Sequence, residues 1–442
     1  MIAKGCDGER DAGPEETLMR RLLWRLMPLI ALTYFVSVVD KANVGFAKLQ
    51  MIDDLGMSEA AFGFGASLFF LAMLIFELPS SLLARRFGLR FWVARIMLSW
   101  GVITTVLAFT KTPTMFYALR FLLGVSEAGL YAALLYYLSQ WFPQSYKARV
   151  TGLLTLGSAF GNGFGSLLSG PILGLDGRLG LGGWQWLFLV TGALPLVAAG
   201  IIWRWLPSRI DDARFLSAAE REMVRSAVAR DEPQSLAVGQ HFLSVLWSLR
   251  VLGLSVVFVA ILTALFGVIY WIPTVAQSFA ASSSQIGLLS ALPWAMVAFA
   301  LVVVPPRLQS TRQISIGMAC VAALGCVLFL GSIHGATPVV RFACIVMGTP
   351  CISLLITCFW TIPGRYFSGV HAAAALAVIS TYGNIGGFFA QNLMPWAASV
   401  TGNAVGAMYV PAACLGLIAA GVLVVVVRAP AELPHQISVI RI

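Results

Sequence analysis

The chain has 442 residues, of which 59% are hydrophobic and 11% charged, and its mean hydropathy is +0.86. Soluble domains carry roughly 25% charged residues, so this composition excludes a water-soluble enzyme, a disordered protein and a nucleic-acid binder. The net charge of +10 does not bring the last back. The basic residues sit in short loops between apolar runs, where they report membrane topology.

The first 21 residues are polar with mixed charge and lack the apolar stretch of a cleaved signal peptide. Crossing a bilayer as a helix takes about 20 apolar residues. Runs of that kind fall at 22–47, 58–84, 89–110, 113–138, 147–172 and 184–206, then at 248–275, 285–306, 313–333, 338–361, 370–396 and 402–428. The reading is an all-α membrane protein with twelve transmembrane helices in two six-helix bundles. Its parts are a cytoplasmic tail 1–21, a bundle 22–206, a cytoplasmic linker 207–247, a second bundle 248–428 and a cytoplasmic tail 429–442. In the linker, Ser217 and Glu220 predict a capping box opening a surface helix over 218–230. With both termini inside, the inner segments hold 21 Lys and Arg and the outer ones 3, the bias that sets orientation.

The halves repeat at one offset. Adding 222 carries Arg85 to Arg307, Arg90 to Arg312, Ser158 to Ser380, Gly161-Asn162 to Gly383-Asn384 and Gly165 to Gly387. Parallel repeats of this kind place a substrate site near the bilayer midplane. Gly157, Gly161 and Gly165 recur every fourth residue, a spacing for close helix approach. Six of the seven cysteines lie inside apolar runs without disulfide or metal spacing, and the four histidines show none either. No catalytic motif, cofactor loop or metal site is expected.

Charge inside a span costs about 2.5–3.5 kcal/mol on insertion scales. Asp40, Lys41, Glu77, Arg120 and Glu127 nonetheless lie well inside spans one, two and four. Arg25, Arg95 and Arg341 lie nearer span ends, where the side chain can snorkel to water. Asp40 and Lys41 point about 100° apart on a helix, so each needs a partner elsewhere. Tyr34, Ser37 and Lys41 share one stripe, and Arg120, Gly124, Glu127 and Tyr131 share another. Two readings stay open: salt bridges holding the bundle, or a proton site beside an anion site. The second half has Leu262, Thr263 and Thr349 where the first has Asp40, Lys41 and Glu127. Ionic coupling therefore belongs to the first half. The second offers neutral groups, among them Tyr270, Trp360, Ser380, Asn384 and Gln391.

The stretch Ser81-Leu-Leu-Ala-Arg-Arg-Phe-Gly-Leu-Arg90 resembles the G-x-x-x-D-R-x-G-R-R loop of the major facilitator superfamily, with Ser81 and Arg85 departing from it. Tyr34-Phe-Val-Ser-Val-Val-Asp-Lys-Ala-Asn-Val-Gly-Phe-Ala47 is similar to the Y-x-x-x-x-x-D-R-x-N-[IV]-G-x-A of the anion:cation symporter family. Arg120-Phe-Leu-Leu-Gly-Val-Ser-Glu-Ala-Gly129, Phe359-Trp-Thr-Ile-Pro and Gly383-Asn-Ile-Gly-Gly also resemble that family, over roughly residues 20 to 430. The resemblance implies the major facilitator fold and proton-driven import of an organic anion, such as a sugar acid, a dicarboxylate or an aromatic acid. It implies Asp40 and Glu127 as the protonatable pair, with Arg120 organising Glu127. Lys41 stands where the family usually has Arg, as the ligand of the substrate carboxylate. A Lys keeps the charge but gives up the planar fork of Arg. The resemblance also implies Asn384 and Trp360 as substrate contacts; Tyr34, Tyr270 and Ser380 are further substrate candidates.

The expected partners are a small organic anion, protons and the lipid bilayer, with no nucleic acid and no cofactor, in a monomer of the plasma membrane. An exchanger or uniporter of the same fold is the nearest alternative, and a membrane-embedded enzyme a remote one.

Overall fold

The computed structural model describes residues 13–230, 248–280, 282–304, 311–362 and 369–428. The expected tail 429–442, most of tail 1–21, the end of the linker, Cys6, His241, His435, Arg307 and Arg365 lie outside them. Every regular element among the described residues is helical. In chain order they are α1 (Pro14–Asp54), α2 (Glu59–Phe87), α3 (Leu89–Leu107), α4 (Pro113–Glu127), α5 (Leu130–Trp141), α6 (Gln144–Leu173), α7 (Gly183–Trp205), α8 (Ala218–Ala229), α9 (Leu249–Gln277), α10 (Ser283–Val303), α11 (Thr311–His334), α12 (Pro338–Phe359), α13 (Gly369–Thr401) and α14 (Tyr409–Arg428). Among the described residues, ten helical spans are long and apolar enough to cross a membrane, α4 and α5 counting as one. The two expected spans outside that set are α6 and α13, which the offset of 222 equates. α6 trades large apolar side chains for Gly, Ser, Thr and Asn, which lowers hydropathy but lets helix backbones approach, while the side chains of the first turns of α13 lie outside the described residues.

The described parts of Met1–His241 and Ala280–Ala291 form one compact unit, and those of Phe242–Phe279 and Leu292–Ile442 a second. In the first, α1 packs on α6 and α7, α3 on α7, and α2 on α4. In the second, α9 packs on α13, and α11 on α12 and α14. The α9–α13 pair occupies the repeat position of α1–α6. Two of the three repeated glycines of α6 serve the close approach foreseen: a Cβ on Gly161 would stand 2.9 Å from Val38 and one on Gly165 3.4 Å from Val39, whereas Gly157 meets nothing within 4 Å.

Local signals start the helices. Ser58, Thr112 and Thr337 each accept the backbone N–H of the third residue on, and Pro follows at the first position after Thr112 and Thr337. The capping box at Ser217 and Glu220 forms as predicted and opens α8. At 41 residues α1 is about 60 Å long, twice the bilayer core. Its amino-terminal excess is tied to the region around α8. Arg21 pairs with Glu220 at 2.7 Å, Arg230 with Glu15 at 2.7 Å, and Arg25 lies 4.6 Å over the Phe215 ring. Of the other two cations near span ends, Arg95 stacks 4.1 Å from Trp92, and Arg341 donates to the Gly335 carbonyl at 2.8 Å.

The fourth span departs from expectation. The apolar run predicts a single helix over 113–138, but the chain breaks between α4 and α5. Ala128 is extended and Gly129 takes φ +81°, a conformation that other L-residues adopt only at a cost. A Cβ at Gly129 would stand 2.7 Å from Ser80 Oγ of α2. Glu127 therefore ends α4, and the stripe from Arg120 to Tyr131 is not continuous.

Candidate functional site

The first unit collects Ser37, Asp40 and Lys41 on one turn of α1, Arg120 and Glu127 on α4, and Phe69 on α2. Lys41 Nζ forms an ion pair with Glu127 Oε1 and donates to Ser37 Oγ at 2.7 Å. The Ser37 hydroxyl in turn donates to the same Glu127 oxygen at 2.5 Å. Glu127 is 1% exposed and Lys41 21%. The other oxygen, Glu127 Oε2, is buried with no hydrogen-bond partner. Arg120 is buried and donates to the Ala66 carbonyl at 3.4 Å. Its guanidinium lies 5.0 Å from the Phe69 ring, and Lys41 Nζ lies 5.7 Å from that ring. One aromatic ring thus serves two cations, a favourable arrangement for charge held away from water.

Asp40 and Lys41 diverge as their 100° separation requires. Asp40, also buried, turns toward α3 and α7 and accepts from Thr104 Oγ1 at 3.3 Å and from Asn43 Nδ2 at 3.1 Å. Tyr34 lies two turns before Lys41, with its ring 5.5 Å from that of Tyr131.

In the second unit the candidates separate. Phe258 of α9 stacks edge-on to Trp360 at 4.9 Å, and Gly383 sits against its ring, where a Cβ would approach to 2.7 Å. Phe258 thereby gathers Trp360 and the turn of α13 that carries Ser380 and Asn384. Asn384 is buried and donates to the Thr381 carbonyl at 3.3 Å. Gln391 is buried, and its Oε1 lacks a partner. Tyr270 is twelve residues along α9 from Phe258, about 18 Å at 1.5 Å per residue. Its ring lies beside Trp271 at 5.7 Å, so Tyr270 stands apart from the Trp360–Asn384 group.

Four residues at these sites were given no role from the sequence: Phe69, Asn43, Thr104 and Thr191, which accepts from Asn43 Nδ2 at 2.8 Å. Asn43 could have been found from its i+3 spacing to Asp40. The others come from separate helices, and nothing in their own sequence surroundings distinguishes them.

Comparison with known proteins adds to this geometry. A profile described as the Major Facilitator Superfamily matches residues 30–391. A protein of Agrobacterium vitis, provisionally named a tartrate transporter, is 33% identical over 419 residues, covering 94% of this chain and 96% of its own. A quinolone resistance transporter of Acinetobacter baumannii is 34% identical over 398 residues, covering 89% and 92%. Among solved structures, the xylose transporter XylE from E. coli, in a partially occluded inward-open conformation, matches with a TM-score of 0.68 at 13% identity, covering 90% of this chain and 98% of that one. At that identity the likeness is one of fold.

Proposed function

We propose that this chain, which belongs to the Major Facilitator Superfamily, imports an organic anion bearing a carboxylate by proton symport. That it is a multi-pass membrane transport protein follows from the family and its apolar helices. The coupling and the cargo are our reading, and the ion pair of Lys41 with Glu127 carries it.

With both acids ionised, Asp40 and Glu127 balance Lys41 and Arg120. Each proton taken up leaves one positive charge uncancelled in a site shielded from water, and an anion restores the balance. Lys41 is the more exposed member of its pair, so it is the cation an entering carboxylate can reach. Protonating Glu127 weakens its hold on the Lys41 ammonium and frees that group for the substrate. Proton and anion then favour each other's binding reciprocally. Arg120, held by the Ala66 carbonyl and Phe69, supplies the fixed charge of the site. Tyr34, Tyr270, Trp360, Ser380 and Asn384 are proposed as substrate groups on their respective units. The name of the Agrobacterium relative supports a small hydroxylated dicarboxylate as the first cargo to try. The 21-to-3 bias of basic residues supports cytoplasmic termini, and the short loops and the family likeness support a plasma membrane.

The test compares wild type with Asp40→Asn in proteoliposomes loaded with tartrate or with the organic acid giving the largest thermal shift. Asp40→Asn should abolish uptake driven by a pH gradient while exchange of labelled for unlabelled substrate continues. If both processes persist, Asp40 is not a proton site. If wild-type uptake ignores the pH gradient, the protein is an exchanger or uniporter.

A further inference from the structure

Asp40 lies in a second polar cluster that the Lys41–Glu127 pair does not touch. Asn43 Nδ2 uses both of its hydrogens: it donates to Asp40 Oδ1 at 3.1 Å and to Thr191 Oγ1 of α7 at 2.8 Å. Thr191 passes its own hydrogen to the Leu187 carbonyl at 2.8 Å. Thr104 of α3 completes the set with its 3.3 Å bond to Asp40. Asp40, Asn43, Thr104 and Thr191 are all buried. The carbonyl oxygen of the same amide, Asn43 Oδ1, is buried with no hydrogen-bond partner. A buried acceptor without a donor is destabilising, but turning the amide over would set that oxygen against Asp40 Oδ1 and against a Thr191 hydroxyl whose hydrogen is already given to Leu187. The amide instead presents its donors, the arrangement that suits an ionised Asp40.

The helices behind this cluster cross closely. At the α3–α7 crossing, a Cβ on Gly101 would come within 2.8 Å of Leu196, and one on Gly192 within 2.7 Å of the Thr105 backbone nitrogen. That close approach sets where Thr104 and Thr191 stand relative to α1.

We propose that Asn43, aligned by Thr191, is the positioning residue that sets the proton affinity of Asp40 from the α3–α7 side. The two acids then differ in their hydrogen-bond partners: Glu127 takes the cation Lys41 and the Ser37 hydroxyl, and Asp40 takes neutral donors. This rests on Asp40 being a proton site. The charged groups acting on Asp40 are Glu127 and Arg120 of α4 and Lys41 of its own helix. Of the helices packed around it, α7 carries Arg204 as its one ionisable side chain, α3 carries Arg90 and Arg95, and α6 has none after Arg149. From α3 and α7 the groups in hydrogen-bond contact with the cluster are hydroxyls.

A donor to the charged form favours ionisation, so losing it favours the proton. In Asn43→Ala the pH at which Asp40 gains its proton should rise by about one unit, roughly tenfold in proton affinity. Thr191→Val keeps the shape but frees the amide to turn over, and should shift the midpoint the same way. Asn43→Ser keeps a donor and should restore part of the shift. Ser169→Ala removes a buried hydroxyl that donates to the Gly165 carbonyl, and should shift nothing.

The experiment is an infrared titration of the protein in liposomes without substrate, following the carbonyl stretch of protonated carboxyl groups against pH. The Asp40 component is the part of the band that Asp40→Asn removes. Upward shifts in Asn43→Ala and Thr191→Val, with Ser169→Ala unmoved, support the inference. A component present in wild type and unshifted in both variants overturns it. If Asp40→Asn removes no titrating component, Asp40 is not a proton site, and the functional reading fails.

Discussion

Glu127→Gln mimics the protonated acid while keeping its shape, and it tests directly whether Glu127 competes with substrate for Lys41. In the ionised protein a carboxylate must draw the ammonium away from Glu127 and Ser37. A hydrogen bond to a charged group contributes about 1.5–3 kcal/mol. Lys41 is 21% exposed, which screens part of the attraction and favours the lower end. The amide oxygen of Gln remains as a weaker acceptor. The expected gain is therefore about 1.4 kcal/mol, or roughly tenfold tighter binding of an organic anion above neutral pH. As the pH falls and Glu127 itself takes up a proton, wild type should approach the variant, so the two binding curves converge on the acid side. Calorimetry of tartrate, or of the best acid from a thermal-shift screen, at several pH values reads this out. Wild type and Glu127→Gln with the same affinity at every pH would refute the competition.

Lys41→Met should abolish anion binding, because Arg120 is buried against Phe69 and cannot replace the more accessible Lys41 ammonium. Lys41→Arg should retain transport with an altered KM, since the fork of Arg binds carboxylates in two-point fashion; radiolabelled uptake distinguishes the two. Gly129→Ala should cost about 1–3 kcal/mol through the left-handed backbone, with an added clash against Ser80, and should appear as a lower Tm in detergent. On α8, the backbone N–H of Ser217 beside Glu220 holds that carboxyl below its ordinary range. The contribution of Glu220 to the cap is therefore complete above the ordinary carboxylate pKa of about 4.3 and is lost as the pH falls through the lowered value. Amide exchange in α8 should accelerate in that window in wild type and not in Glu220→Gln.

The spans were legible because a bilayer demands apolar runs of a fixed length, and the same constraint made Asp40, Lys41, Arg120 and Glu127 conspicuous. Legibility stopped where a feature depends on a neighbour. The α4–α5 break falls at Gly129, where Ser80 of α2 leaves no room for a Cβ, which a helical stripe drawn through Arg120 and Tyr131 cannot register. The partner of Lys41 is 86 residues away. The helical angle ruled out Asp40 as that partner without naming Glu127. Thr104 and Thr191 look like ordinary span residues until the α3–α7 crossing brings them to Asp40 and Asn43. Nor does the sequence show that Tyr270 sits about three turns along α9 from Phe258 and the Trp360–Asn384 group.

The most direct measurement follows external pH in a lightly buffered suspension of proteoliposomes as the transported acid is added. The account predicts that the medium turns alkaline as the anion enters, and that the change disappears when Asp40→Asn and Glu127→Gln are combined. Anion accumulating inside at an undiminished rate, with no proton movement in wild type or with the acids replaced, would contradict it.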